Sequence, residues 1–143
     1  MEQNLQANKA MIRRFVEDVK NKRQFDQMGE IFQTNYIEHN GGVNRFGNGV
    51  EGYTRFLNHL FTAFPDDQVK IDELIAEGNI VCYRATESGT HQAEFLGIPA
   101  THKSATWTEI QFSRIEDGKV AEHWIDVDIF SWFQQLGIIP RMG

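Results

Sequence analysis

The sequence predicts an α+β fold, with a curved sheet wrapped around three N-terminal helices and a short helix at the C-terminal end. Two observations carry that expectation. Apolar residues recur at helical spacing through the first half of the 143 residues, and they alternate at strand spacing through the second. No repeat, linker or low-complexity segment separates the halves, which fits a single domain over residues 1–143.

The elements follow in order. Met11, Ile12, Phe15, Val16 and Val19 form one apolar stripe of a first helix. "QFDQMGEIF" gives a short second helix that buries Met28, Ile31 and Phe32. "NYIEHN" reads as a short extended piece before the glycine-rich turn "NGGVNRFGNG". That turn has neither a Gly-x-Gly-x-x-Gly pattern nor a Gly-Lys-Ser ending, so it is no phosphate-cradling loop. Tyr53, Phe56, Leu57, Leu60 and Phe64 make a third helix, stopped by Pro65.

In the second half, Val69 to Ile75 alternates imperfectly as a first strand. "IVCYRATESGTH" follows the turn "AEGN", with Val81, Tyr83 and Ala85 on one face. "QAEFLGIPATHK" is a loop broken by Gly97 and Pro99. "SATWTEIQFSRI" and "VAEHWIDVD" are strands joined through the tight turn "EDGK", and "IFSWFQQLG" suits a short terminal helix.

Composition narrows the function. A net charge of −6 argues against a nucleic-acid backbone as partner. The basic residues Arg13, Arg14, Lys20, Lys22 and Arg23 are interrupted by Glu17 and Asp18, and read as a solvated helix face. Cys82 is the only cysteine, which excludes an intrachain disulfide and disfavours a cysteine-based metal site. The polar start "MEQNLQANKA" lacks an apolar signal core, and no stretch reaches the length of a membrane span. A cytoplasmic protein without membrane or nucleic-acid partners is expected. The 11 phenylalanines in a chain that is 12% aromatic suggest a core or cavity built of flat rings.

The last strand is chemically the richest. Glu122, Trp124, Asp126 and Asp128 share one face, and His123, Ile125 and Val127 share the other. The odd face is expected to meet core, and the even face either solvent or a polar cavity. On the preceding strand Trp107, Glu109, Gln111 and Ser113 share a face, and Glu109 and Gln111 either serve a cavity or are exposed strand polarity.

Three stretches, "GTHQAEFLGIPAT" (89–101), "FSRIEDGKVAEHW" (112–124) and "DIFSWFQQLG" (128–137), with "EGYTRFLNHLFTAFPD" (51–66) as a weaker fourth, resemble the SnoaL-like polyketide cyclase family. That family belongs to the cone-shaped α+β superfamily named after nuclear transport factor 2. The resemblance covers nearly the whole chain in order. Its first motif is specific to the family, whereas Asp-Gly-Lys with His-Trp is shared more widely.

The resemblance implies a cone with a curved antiparallel or mixed sheet. It also implies polyketide ring closure by intramolecular aldol condensation, with no cofactor or metal and with a last-strand aspartate as acid/base in an aromatic-lined cavity. Asp128 falls on that aspartate, and His39 and His91 fall on the family's pocket histidines. Two departures stand out. Many members carry an acid or amide directly after His-Trp, where this chain has Ile125 and moves the acid to Asp126. Ala100 and His102 replace the second proline and the glycine of the family's Pro-Pro-Thr-Gly loop.

The expected function is therefore a cofactor-free, cyclase-type enzyme acting on a small hydrophobic carbonyl or polyketide-like compound. Asp128 or Asp126 would be the acid/base, with His91 and His39 orienting the substrate at the catalytic centre. His39, Glu109, Trp107, Trp124, Tyr36, Tyr53 and Phe56 would hold substrate. The alternatives are another reaction on the same scaffold (isomerase, dehydratase or epoxide hydrolase) or a non-catalytic pocket for a small apolar ligand. Asp128 could instead cap the terminal helix, His91 could close its loop, and Glu122 could pair cations on neighbouring strands. A homodimer, or a tetramer, is expected through the outer sheet face, as the family pairs.

Overall fold

The computed structural model describes residues 2–140; Met1 and residues 141–143, the ends of the expected domain, lie outside the described residues. Helix α1 (Glu2–Arg14) runs into a π-helical turn (Phe15–Lys20), and a 3₁₀ turn (Phe25–Gln27) leads to α2 (Met28–Ile31). Then come strand β1 (Phe32–Glu38), the single turn α3 (Gly41–Asn44) and the long α4 (Gly49–Ala63). Strands β2 (Gln68–Glu77), β3 (Ile80–Thr90), β4 (Ser104–Glu116) and β5 (Lys119–Val127) precede α5 (Ile129–Gln135).

The five strands form one open mixed sheet in the order β1-β5-β4-β3-β2. Only the β1–β5 pair is parallel. The fold class is the one the sequence predicts, with an extended piece around "NYIEHN" that grows into a seven-residue edge strand. Register shifts between Ile71 and Glu73 on β2, between Arg114 and Ile115 on β4, and between Phe32 and Ile37 on β1 mark where the sheet bends. The "EDGK" hairpin turns with positive φ at both Asp117 (53°) and Gly118 (77°), the geometry that matches strand twist.

The concave face packs on the helices. Val81, Tyr83, Ala85, Ala105, Trp107 and Val120 meet Ile12, Phe15, Val16 and Val19 from the first helix and Tyr53, Leu57 and Leu60 from α4. Helix α4 starts against the preceding turn so closely that a Cβ on Gly52 would run into the Gly47 carbonyl. The convex face carries Ile75, Ile110 and Phe112 in the open. Among the described residues no helix is long and apolar enough to cross a membrane.

Candidate active site

The inner faces of β3 and β4 carry acids where a core would carry hydrocarbon. Glu87 lies opposite Trp107 and Ala85 opposite Glu109, so Glu87 and Glu109 are diagonal neighbours on the same face. Both are buried, and Asp67, in the turn after α4, is buried with them. Neither oxygen of Asp67 nor Oε1 of Glu87 has an N–H or hydroxyl donor. A retained carboxyl proton is therefore the donor that joins these groups.

Lys20 supplies the counter-charge. In an unbroken α-helix the stripe through Phe15, Val16 and Val19 would continue as apolar core. The π turn widens the helix instead: Asn21 N–H bonds Val16 O (3.0 Å) and Gln24 N–H bonds Val19 O (2.9 Å). Lys20 ends that turn buried, with Nζ 3.9 Å from Glu109 Oε1. Its assignment to a solvated basic face is thus corrected.

The electrostatics follow from burial. Desolvation, first, pushes both Glu109 and Glu87 up to about 8; second comes the charge of Glu87 for Glu109 and that of Asp67 for Glu87, while Lys20 pulls both down. Asp67 is raised to about 6, again chiefly by burial. Burial alone would lower Lys20, but Glu109, Glu87 and Asp67 outweigh it and hold the amine as an ammonium. Near neutral pH the row carries fewer charges than it has carboxyls.

A second polar chain leads away from Glu109. Gln111 Nε2 donates to Glu109 Oε1 (2.9 Å), and Gln111 Oε1 faces His123 Nε2 (2.9 Å). His123 Nδ1 meets Glu38 Oε1 at 2.6 Å, and Tyr36 O–H also donates to that oxygen (3.1 Å). All five residues are buried. His123 is the satisfied core histidine that its apolar parity predicts.

Lys20, Glu87, Glu109, Trp107 and Tyr53 line a cavity of about 40 Å³ between sheet and helices. The half-buried Phe56, Ile125, Val127 and Asn40 line it nearer solvent. Trp107 stacks on Trp132 at 4.0 Å, giving one wall a flat aromatic surface. At ~10–15 Å³ per water the space holds roughly three waters, so a larger ligand needs the rim to move.

Of the expected site residues, Glu109, Trp107, Tyr53 and Phe56 meet at this cavity, and Tyr36 lies in the chain behind it. The others do not, for reasons of parity and capping. Even positions of β5 face outward, so Asp126 is exposed beside Ile110, Phe112 and Trp124. His39 stacks on Trp124 (4.8 Å) on that outer side and bonds Glu122, which also accepts from Arg114. Asp128 is exposed and caps α5, accepting from Ser131 N–H at 3.0 Å. His91 is buried but closes its loop: Nδ1 pairs with Thr101, and the ring stacks on Phe64.

The family model described as SnoaL-like polyketide cyclase matches residues 10–136. The chain belongs to the SnoaL-like polyketide cyclase family. A curated relative, the aklanonic acid methyl ester cyclase DnrD of Streptomyces peucetius, is 28% identical over 134 residues, covering 89% of this chain and 88% of its own. Among solved structures, TsrD from Streptomyces laurentii superposes with a TM-score of 0.84 at 25% identity, covering 93% of this chain and 96% of that one. IdmH, a putative polyketide cyclase from Streptomyces antibioticus, gives 0.79 at 25% identity, covering 91% and 98%.

Within this SnoaL-like chain the position directly after His-Trp does face the cavity, but Ile125 fills it with hydrocarbon. The displaced Asp126 cannot replace an acid there, because one residue along a strand reverses the face. The cavity's carboxyls, Glu87 and Glu109, come from β3 and β4, and Asp67, from the turn after α4, is buried beside Glu87 without lining the cavity. Glu87 was legible: it continues the inward parity of Val81, Tyr83 and Ala85. Asp67 and Lys20 carried no such signal, since a turn and a π-helical step set their direction.

Proposed function

We propose that this protein is a cyclase-type carbon-acid enzyme whose base is the Glu109–Glu87 pair rather than an aspartate of the last strand. The observation that carries the reading is a buried carboxyl pair, raised toward neutral pH, on the wall of an aromatic cavity beside a buried ammonium. A carboxylate so tuned is strong enough to take a proton from carbon beside a carbonyl and weak enough to return it.

In the ring closure, the ionised carboxylate removes a proton from the carbon between two carbonyls, and the electron pair moves onto oxygen as an enolate. Lys20 stabilises that developing negative charge by its ammonium. The enolate carbon then bonds to a second carbonyl carbon of the same molecule, and the new alkoxide takes a proton from the carboxyl. One C–H bond and the π bond of the attacked carbonyl are exchanged for one C–C and one O–H bond, with no cofactor in the balance. Trp107, Trp132, Tyr53 and Phe56 suit a flat, poorly charged substrate of the polyketide kind.

The protein would act as a dimer through its convex face. Ile75, Ile110 and Phe112 are exposed there, 66%, 50% and 42% respectively, next to Trp124. Such a run of apolar surface is normally covered.

The test is deuterium wash-in at the acidic carbon of a β-keto ester in D₂O. Catalysed exchange by the wild type that is lost in Glu109→Gln supports the reading. Exchange at the buffer rate in the wild type, or equal rates in both proteins, refutes it.

A further inference from the structure

Asp67 is the acid of the buried row that the ring closure leaves without a task. It is 0% exposed, and neither carboxyl oxygen meets an N–H or hydroxyl donor among the described residues. A buried carboxylate in that state is costly, so its donor has to come from a neighbouring acid. The Asp67 carboxyl meets that of Glu87, and Glu87 in turn meets Glu109.

Glu109 is served differently. Gln111 Nε2 donates to its Oε1 at 2.9 Å, and Lys20 Nζ stands 3.9 Å from the same oxygen. An ionised Glu109 therefore needs no proton from Glu87, whereas an ionised Asp67 finds its donor there.

We propose that Asp67 is a positioning residue whose carboxylate accepts the Glu87 proton, keeping Glu87 as an acid and leaving Glu109 to be the base. Asp67 does not line the cavity and does not touch substrate. The inference rests on the carboxyl pair as the acid/base and adds which member acts. The proton that Glu109 takes from carbon returns to the new alkoxide, so no proton has to leave the row.

The fold aims Asp67 at Glu87. Asp67 N–H bonds Phe64 O (3.1 Å), and Arg23 Nη2 and Gln68 Nε2 donate to Asp67 O at 2.7 and 2.9 Å. The Arg23 guanidinium lies over the Phe61 ring at 3.7 Å, and its hydrogen bonds go to backbone carbonyls rather than to the carboxylate. Strand β2 starts at the next residue, and its Val69 pairs in register with Glu87. Gly89 lets the turn come this close: a Cβ there would stand 3.2 Å from Phe64 Cβ and 3.4 Å from Asp67 Cα.

Electrostatics agrees with the placement. Burial raises Asp67 only to about 6 but Glu87 to about 8, so the proton between them sits on Glu87 at neutral pH. The charged groups facing Asp67 are Lys20 from the π turn, Arg23 from the turn after it, Glu87 from β3 and Glu109 from β4. Lys20 and Glu109 also face Glu87, with Tyr53 from α4 and Tyr83 from β3 kept neutral by burial. Asp66, next in the chain, is taken up by Thr90, from whose N–H (2.7 Å) and O–H (2.8 Å) it accepts.

The experiment follows the ¹³C carboxyl resonances of Asp67, Glu87 and Glu109 against pH in substrate-free protein, assigned with Asp67→Asn, Glu87→Gln and Glu109→Gln. In the wild type Asp67 should ionise first, Glu109 next and Glu87 last. Glu87 ionising before Glu109, or Asp67 still protonated at neutral pH, overturns the proposal. In Asp67→Asn the Glu87 midpoint should fall by about one pH unit, a tenfold change in proton affinity. The pH profile of deuterium exchange into ethyl acetoacetate should move to lower pH with it, which a merely structural role for Asp67 would not produce. An unchanged Glu87 midpoint overturns the proposal. Should Asp67→Asn fail to fold, the wild-type order of ionisation decides alone. Exchange is read separately. No exchange by a wild type that keeps the order removes the catalytic reading alone, and exchange lost in Glu109→Gln with the order broken removes the role of Asp67 alone.

Discussion

Lys20 Nζ lies 3.9 Å from Glu109 Oε1, with the two side chains only 3% and 2% exposed. A buried ammonium is tolerable only beside negative charge, and the acids are tolerable only beside it. Lys20→Met keeps the apolar stem and removes the charge. The carboxyls are then expected to hold their protons to higher pH, and turnover to fall about tenfold or more at neutral pH with its profile displaced to the alkaline side. An unchanged pH–rate profile would show that Lys20 does not act on the pair.

Glu109→Gln is nearly isosteric and leaves Gln111 a partner. Proton abstraction should drop by about 10²–10⁴-fold while circular dichroism stays that of the wild type.

The acid pair also sets how stability responds to pH. The native state holds these protons up to about 8, whereas an unfolded glutamate releases its own near 4.5. Between those values the native state binds more protons than the unfolded chain, so stability falls as pH rises. Lys20 acts above that window, because its native value is raised from 10.5. Glu87→Gln should therefore flatten the decline in urea midpoint between about pH 5 and pH 8, relative to wild type. An equally steep decline in both proteins would contradict the raised values.

Asp128 tests the alternative base. As the α5 cap, its replacement by Ala should cost about 1 kcal/mol of stability and leave turnover near wild type. Unchanged stability with lost turnover would return the acid/base role to the end of β5.

The convex face gives a fifth expectation. Phe112→Glu places charge amid Ile75, Ile110 and Trp124, and sedimentation should show a dimer becoming a monomer. A monomeric wild type would refute pairing through this face.

Periodicity made most of the fold legible. Alternation located β3, β4 and β5, and the odd parity of His123 placed it in the interior, where it is found. The same parity put Trp107 and Glu109 together, and it extends to Glu87 once Val81, Tyr83 and Ala85 are read as inward. What sequence could not supply was direction outside regular elements. Lys20 turns inward only because the helix widens over Phe15–Lys20, and Asp67 only because the chain after Phe64 folds back on the sheet. Asp128 drew attention by its position before "IFSWFQQLG", yet the same position is where a helix cap belongs.

The most direct test of the central claim is the pH dependence of α-carbon deuterium exchange, compared between wild type and Glu109→Gln on one β-keto ester probe. The buried pair predicts a wild-type rate that climbs through about pH 8 as the shared proton is lost, and no such rise in the variant. A variant that matches the wild type in rate and in pH profile would contradict it.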